Sequence, residues 1–480
     1  MLDKLQPSEV WKFFFELSRI PRPSKHEERA VSYIINFAEE RGFSYEKDGV
    51  GNLIVRKPST SQTAGRPGVV LQAHLDMVCE KNEDTDHDFL NEPLDIYEED
   101  GFVLARGTTL GADNGIGVAA AMAVLDSNDI SHGALECLFT VDEETGLTGA
   151  NALDSDFLQG RILINLDSEE EGAVYIGCAG GKTTGLYRSI VSRKKNDKDI
   201  SYRIHLGGLK GGHSGLDICK GRGNAVILLA RFLWHLNDKM NFDLSDLSGG
   251  DKHNAIPRES YALIDFKEED LPLFETEMIK YDEIYKEELS KTDSGVFIGA
   301  EKVNGFNRVL QEKDKSALLN MLYSFPHGIF AMDAEIPGLV RTSTNLASVK
   351  IQEEGISILS SQRSSLASQV EDVSSRVISH CLLADYEFIS RDPYPAWTPD
   401  TDSPLLAKTV SVHEELFGRP PEIKAIHAGL ECGLIGQKYP GMDMISFGPD
   451  IYNAHSPDEK LKISSVGNFW LLIKGLLENI

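Results

Sequence analysis

VVLQAHLDMV, residues 69–78, is apolar at nearly every position, yet it carries His74 and Asp76 near its C-terminal end. A short continuous apolar run reads as a strand buried on both faces, as in the middle of a parallel sheet. Residues i and i+2 of a strand project to the same side, so His74 and Asp76 point the same way. An imidazole with a nearby carboxylate is a pairing used at zinc, where the carboxylate fixes the tautomer. A histidine satisfied by a local hydrogen bond is the plainer reading, and this stretch alone does not separate the two.

Working outward, the N-terminal part alternates helical and strand patterns. Residues 27–41 have helical apolar spacing that stops at Gly42. NLIVRK, ALECLFTV and ILINLD read as strands, and GIGVAAAMAVL, residues 115–125, reads as a buried helix. Such alternation predicts an α/β domain with a mostly parallel sheet. The opening MLDKLQPSEVWKFFFELSRI reads as an amphipathic helix with Ser8 as N-cap, and not as a signal peptide. Residues 186–385 change character, with two polar strand-and-helix halves that suggest an inserted α+β domain. The α/β pattern then returns, with a helix near 405–417, the strand MDMISFG and a closing helix at 465–477. The expected organisation is one α/β domain from residues 1–185 and 386–480, interrupted by the insertion.

Bulk properties narrow the function. The 480 residues carry 75 acidic against 48 basic side chains, a formal charge of -27. That balance argues against nucleic acid and anionic membranes, which both call for positive charge. No run of about 18 apolar residues exists to span a membrane. The six cysteines are scattered and form no close pairs, which suits a reducing cytoplasm better than a disulfide framework.

Ligands of open α/β sheets sit beyond the C-terminal strand ends, and that is where this chain concentrates its chemistry. Asp113 lies in RGTTLGADNGIG, a glycine-rich turn with an acid where a phosphate loop would need lysine. Glu143 and Glu144 follow the strand in ALECLFTVDEETG, and Asp167 ends the strand in ILINLDSEEEG. His455 sits in the turn of SFGPDIYNAHSPDE. Each has an ordinary reading as a helix cap or a solvated loop residue, and the run Glu169 to Glu171 is expected to be solvated. Together, two histidines and three carboxylates at strand ends suit two zinc ions with a bridging carboxylate. Calcium or magnesium would favour oxygen ligands alone.

QAHLDMV, RGTTLGADNGIG, INLDSEEEG, GCAGG, LKGGHSG, NAIPRE, HAGLECG and AHSPDE together resemble the aminoacyl-histidine dipeptidases (Xaa-His dipeptidase, peptidase D). These belong to the co-catalytic zinc exopeptidases, with the carnosinases, peptidase T and aminoacylases. The resemblance covers nearly the whole chain. It implies a zinc-exopeptidase-like catalytic domain with a lid as the insertion. It implies His74 at one metal, His455 at the other, Asp113 bridging, and Glu144 and Asp167 completing the two sites. Asp76 would orient His74, and the peptide after Asp113 would be cis. Glu143 would be the general base for attack by a metal-bound hydroxide. In the lid, His213 would stabilise the oxyanion, while Asn254, Arg363 and Gly429 would hold the substrate's C-terminal carboxylate, with Arg341 competing for that role. Glu431 would be structural or would meet a substrate amine. Two zinc ions are implied, with manganese or cobalt as substitutes. The implied activity is cytoplasmic hydrolysis of unblocked dipeptides. An N-acyl-amino-acid deacylase and a non-enzymatic metal-binding scaffold are the alternatives. A homodimer is left open, since a doubled lid would let its residues act within one chain.

Overall fold

The computed structural model describes residues 4–60, 63–304 and 307–480. The opening stretch forms the strand Val69–His74 with every residue buried. It pairs in parallel with Leu135–Thr140 on one side and Ile162–Asn165 on the other, and Ile162–Asn165 pairs in parallel with Asp443–Ser446. These four strands therefore end at one common edge. Beside them in the eight-stranded sheet are antiparallel pairs: Leu53–Lys57 joins Leu135–Thr140 and Ser44–Lys47, and Ala173–Cys178 joins Asp443–Ser446. The parallel pattern expected from sequence thus holds at the centre and gives way to a mixed sheet at the flanks.

Packing follows from composition. Helix Ala112–Asp126 is rich in small residues and buried on nearly every side, which lets its backbone lie close to Val69–His74 and to the helix Ser8–Leu17. Helix Glu28–Arg41 buries Ala30, Val31, Ile34 and Phe37 and stops at Gly42, whose φ of 71° is the left-handed conformation favoured at helix ends. Ser8 is not an N-cap: the cap position is Pro7, and the Ser8 hydroxyl bonds Glu9 instead. Gln6–Pro7 and Asp113–Asn114 are cis peptides.

The chain forms two compact units. The first comprises Met1–Cys178, Trp397–Ala425 and Leu430–Ile480; the second comprises Ala179–Ala396 and Ile426–Gly429. These divisions replace the ones expected at 185/186 and 385/386. Strands Gly180–Ser189 and Glu387–Tyr394 pair with each other in the second unit's own sheet, so pairing carries both boundaries outward. That sheet has nine strands, and its two halves meet where Asp243–Gly249 pairs with Val340–Ile351. Its core includes Leu229, Phe232, Leu233, Phe266 and Tyr285. Among the described residues no helix is long and apolar enough to cross a membrane. All six cysteines are free.

Candidate metal centre and active site

At the shared strand edge of the first unit, His74, Asp113, Glu143, Glu144, Asp167 and His455 converge. His74 Nε2 is 3.1 Å from Asp113 Oδ1 and 3.3 Å from Asp167 Oδ1. His455 Nε2 is 3.0 Å from Asp113 Oδ2 and 3.1 Å from Glu144 Oε2. Two three-residue sets, His74–Asp113–Asp167 and Asp113–Glu144–His455, could each hold a metal ion, and they share Asp113 through different oxygens. A third combination, His74 with Glu143 and Glu144, is also compact enough. Only the first two together include every expected ligand, with Asp113 common to both.

The donor set fits metal. Glu144 Oε1 and Asp167 Oδ1 are buried without a hydrogen-bond partner, and a buried carboxylate oxygen left unpaired is costly. Burial opposes a charged His74, yet Asp167 and Asp113 raise its pKa well above the usual histidine range. Hydrogen bonds accepted by Asp113 and then Glu144 push His455 up to about 11. Burial works against ionised Asp113, but His455 and His74 hold its carboxyl well below the ordinary range. Burial drives Asp167 up to about 7. The cluster therefore takes up positive charge as protons, and a divalent cation would supply the same charge while releasing them.

Asp76 does more than the resemblance implies. Its side chain lies 3.4 Å from His74 Nδ1, whereas the closer partner of that nitrogen is the Asp76 carbonyl at 3.1 Å. Asp76 Oδ1 accepts from the Glu143 backbone N–H at 3.0 Å, and Oδ2 accepts from Glu144 N–H at 3.2 Å and from Ser24 Oγ at 2.7 Å. One residue thus lies against the His74 ring and, through its carboxylate, holds the Glu143–Glu144 turn. Burial raises the Glu143 carboxyl well above its normal value, and Asp167, Glu431 and Glu144 add to the rise.

Two buried clamps that the sequence reading did not single out hold the frame. Glu459 is buried and accepts four backbone N–H bonds, from Leu110, Gly111, Ala112 and Asp113, at 2.8, 2.9, 2.8 and 3.3 Å. It ties the His455 loop to the turn carrying Asp113. Arg22, also buried, donates to the carbonyls of Leu75, Asp76 and Gly111. A Cβ at Gly111 or Gly115 would stand 2.6 Å from Arg22 Nη2, which accounts for two glycines of the GADNGIG turn. Glu431 is fully buried, accepting from Gln72 Nε2 at 2.6 Å and Thr140 Oγ1 at 2.7 Å. Gln72 in turn accepts from Asn165, whose Oδ1 receives the Asp167 N–H. This network crosses the parallel strands and holds Glu431 through Oε2, while its Oε1 is buried without a partner. Glu169 and Glu170 are exposed as expected, but Glu171 is half-buried against Asn468.

The second unit gathers its own polar group. Gly215 and Leu216 N–H donate to His213 Nδ1 at 3.2 and 3.1 Å, which leaves Nε2 of the neutral ring as a donor. Burial, then the charge of Arg363, pushes His213 down to about 4. Arg363 is buried; its Nη1 donates to Tyr394 at 2.5 Å and its Nε has no partner. Arg341 Nε is likewise buried and unpartnered. Asn254 is exposed and accepts the Ser214 N–H through its carbonyl at 2.8 Å. Gly429 abuts Tyr394: a Cβ there would lie 3.1 Å from the ring. His427, missed from sequence, is buried with Nε2 2.7 Å from Ser343 Oγ and Nδ1 unpartnered.

The sequence matches Peptidase family M20/M25/M40 over residues 70–479. The chain belongs to this family. This M20 peptidase is 42% identical over 482 residues to the cytosol non-specific dipeptidase of Escherichia coli K12, covering 100% of this chain and 99% of that protein. It is also 42% identical to the aminoacylhistidine dipeptidase of Vibrio alginolyticus, whose crystal structure superposes with a TM-score of 0.92 over 100% of this chain and 98% of that one. An aminopeptidase from Bacillus cereus, 16% identical with a TM-score of 0.58 over 99% of both chains, shares the fold.

Two results are expected from these contacts. Glu459→Gln would turn an amide toward donors that need acceptors, so it should weaken metal binding about 10–100-fold, the range typical of residues that support ligands. Chelator competition on the purified variant measures this directly. His427 is pushed from 6.5 to about 3 by burial, then by Arg363 and His213. The unfolded chain therefore binds a proton that the folded chain refuses between those values, and this contribution is complete above pH 6.5 and lost as pH falls toward 3. Urea midpoints measured at pH 7 and pH 5 should fall on acidification, and less so in His427→Gln.

Proposed function

We propose that this M20 peptidase is a metallo-dipeptidase that hydrolyses unblocked dipeptides, Xaa-His peptides among them. The observation that carries this reading is Glu143. It lies outside both ligand sets that share Asp113, yet it is locked beside them through Asp76. A purely structural metal site has no use for such a carboxylate. The full-length identity to dipeptidases supports the substrate class.

We assign His74 and Asp167 to one zinc ion, Glu144 and His455 to the other, and Asp113 to both. When bound, the ions would lower the pKa of an attacking water and offset charge on the carbonyl oxygen. Glu143 Oε takes the proton from that water and delivers it to the leaving amine nitrogen. The upward shift of the Glu143 carboxyl by burial is consistent with a base that returns its proton to the leaving amine. His213 serves as a neutral Nε2–H donor to the oxyanion, consistent with its lowered pKa. Arg363, Asn254 and Gly429 are read as binding groups for the substrate carboxylate, Arg363 by its guanidinium. We place the enzyme in the cytosol; the name of the E. coli relative and the six free cysteines support this.

Hydrolysis of carnosine, alanyl-histidine and N-acetyl-histidine, with and without chelator, tests the reading. Cleavage of the free-amine dipeptides alone, lost on chelation, is expected. Preference for N-acetyl-histidine would move the function to deacylation.

A further inference from the structure

The first unit contains a cavity of about 260 Å³ whose lining includes none of the six converging residues. Phe417, Phe447, Phe469 and Leu472 give it an apolar body. The polar groups around it are unequally satisfied. Glu171 is engaged: it accepts from Asn468 and lies 3.5 Å from Lys462 Nζ. Arg419 is exposed, its guanidinium 3.5 Å from where a Cβ of Gly172 would stand, and it forms no hydrogen bond or ion pair through its side chain with any described residue. His413 is buried, and its Nδ1 lies 2.7 Å from the Arg419 carbonyl. A carbonyl only accepts, so Nδ1 carries the hydrogen and Nε2 of the neutral ring keeps a lone pair. No described side chain donates to it.

We propose that this cavity is a binding site for a free α-amino acid with an apolar side chain. A cation without an anion, a lone pair without a donor and an aromatic pocket ask for one molecule carrying all three complements. The carboxylate would pair with Arg419, the ammonium would donate to His413 Nε2, and a leucine- or phenylalanine-sized side chain would fill the space among the phenylalanines. A simple apolar carboxylate would leave Nε2 unmatched, and an amine would leave Arg419 unmatched. The source of such a ligand rests on the dipeptidase reading, since dipeptide hydrolysis releases free amino acids. The location gives binding a consequence. Glu171 N–H donates to Asp450 Oδ1 at 2.8 Å, and Ile451 N–H donates to the Glu169 carbonyl at 3.1 Å. Beside the cavity these bonds join the loop after Asp167 to the loop before His455, so a bound product would stiffen the segments that carry one ligand of each proposed metal.

The test is calorimetric titration of L-leucine into the metal-loaded full chain and its Arg419→Ala variant, with leucinamide and 4-methylpentanoate as probes lacking one charge each. Arg419 is exposed and lies outside the proposed catalytic machinery, so turnover of alanyl-histidine without added leucine should stay close to wild type. The expected result is a leucine-binding step weakened about tenfold or more in Arg419→Ala, as for loss of a charge-assisted pair, with both one-charge probes binding more weakly than leucine. An identical leucine isotherm in the two proteins, no leucine binding at all, or leucinamide binding as tightly as leucine would overturn the proposal. The dipeptidase reading fails separately: if neither protein cleaves alanyl-histidine, it falls, while an Arg419-dependent leucine step still supports the site.

Discussion

Glu143→Gln is expected to lower kcat on a dipeptide by about 10²–10⁴-fold, the range for a lost general base, while metal content stays at the wild-type level. The amide has nearly the same shape and keeps the backbone N–H that donates to Asp76 Oδ1, so the turn survives. What disappears is a group able to take a proton from water and return it to the amine. The buried site also loses one acid from a crowded set of Asp167, Glu431 and Glu144, so folding stability should hold or rise. Metal analysis of the purified variant beside its steady-state kinetics separates the outcomes. Loss of metal together with activity would make Glu143 a ligand, as the third compact combination with His74 and Glu144 allows. Retained turnover would remove it from the mechanism.

Asp113→Ala should be more drastic, because it strikes both ligand sets at once. Its two oxygens face two different imidazoles, His74 at 3.1 Å and His455 at 3.0 Å. No neighbouring carboxylate reaches both rings with separate oxygens in this way. Without Asp113 each set falls to two residues, fewer than the three protein ligands usual at catalytic zinc. Bound metal should drop from two equivalents to less than one, and turnover to the level of the chelated wild type. Asp113→Asn is the milder partner: it keeps the shape but not the charge, so it should retain part of the metal at high concentration. Equilibrium dialysis against zinc measures both.

The five proposed ligands are legible in the sequence because each follows an apolar strand or sits in a glycine-rich turn, and the physics of a parallel sheet then brings those ends to one edge. His74 and Asp76 share this logic: a buried strand ends in an imidazole and a carboxylate because that edge is where charge collects. The clamps are not legible in the same way. Glu459 looks like any glutamate in a polar loop, and its partners begin 349 positions away at Leu110. Arg22 is similarly hidden, since its value lies in three carbonyls that only the folded chain gathers. Domain boundaries shift for a related reason. Residues 180–189 and 387–394 lie 200 positions apart and reveal their pairing only in the second unit's sheet. Ser8 fails as a cap because Pro7 already starts the helix there, and its hydroxyl turns to Glu9.

The most direct test of the account is to strip the protein with chelator, return zinc stepwise, and count bound metal while following alanyl-histidine hydrolysis. The account predicts no cleavage by the stripped protein and a rise in activity that levels off at two zinc ions per chain, one for each ligand set sharing Asp113. Cleavage by the stripped protein, or full activity with a single ion and no second site, would contradict it.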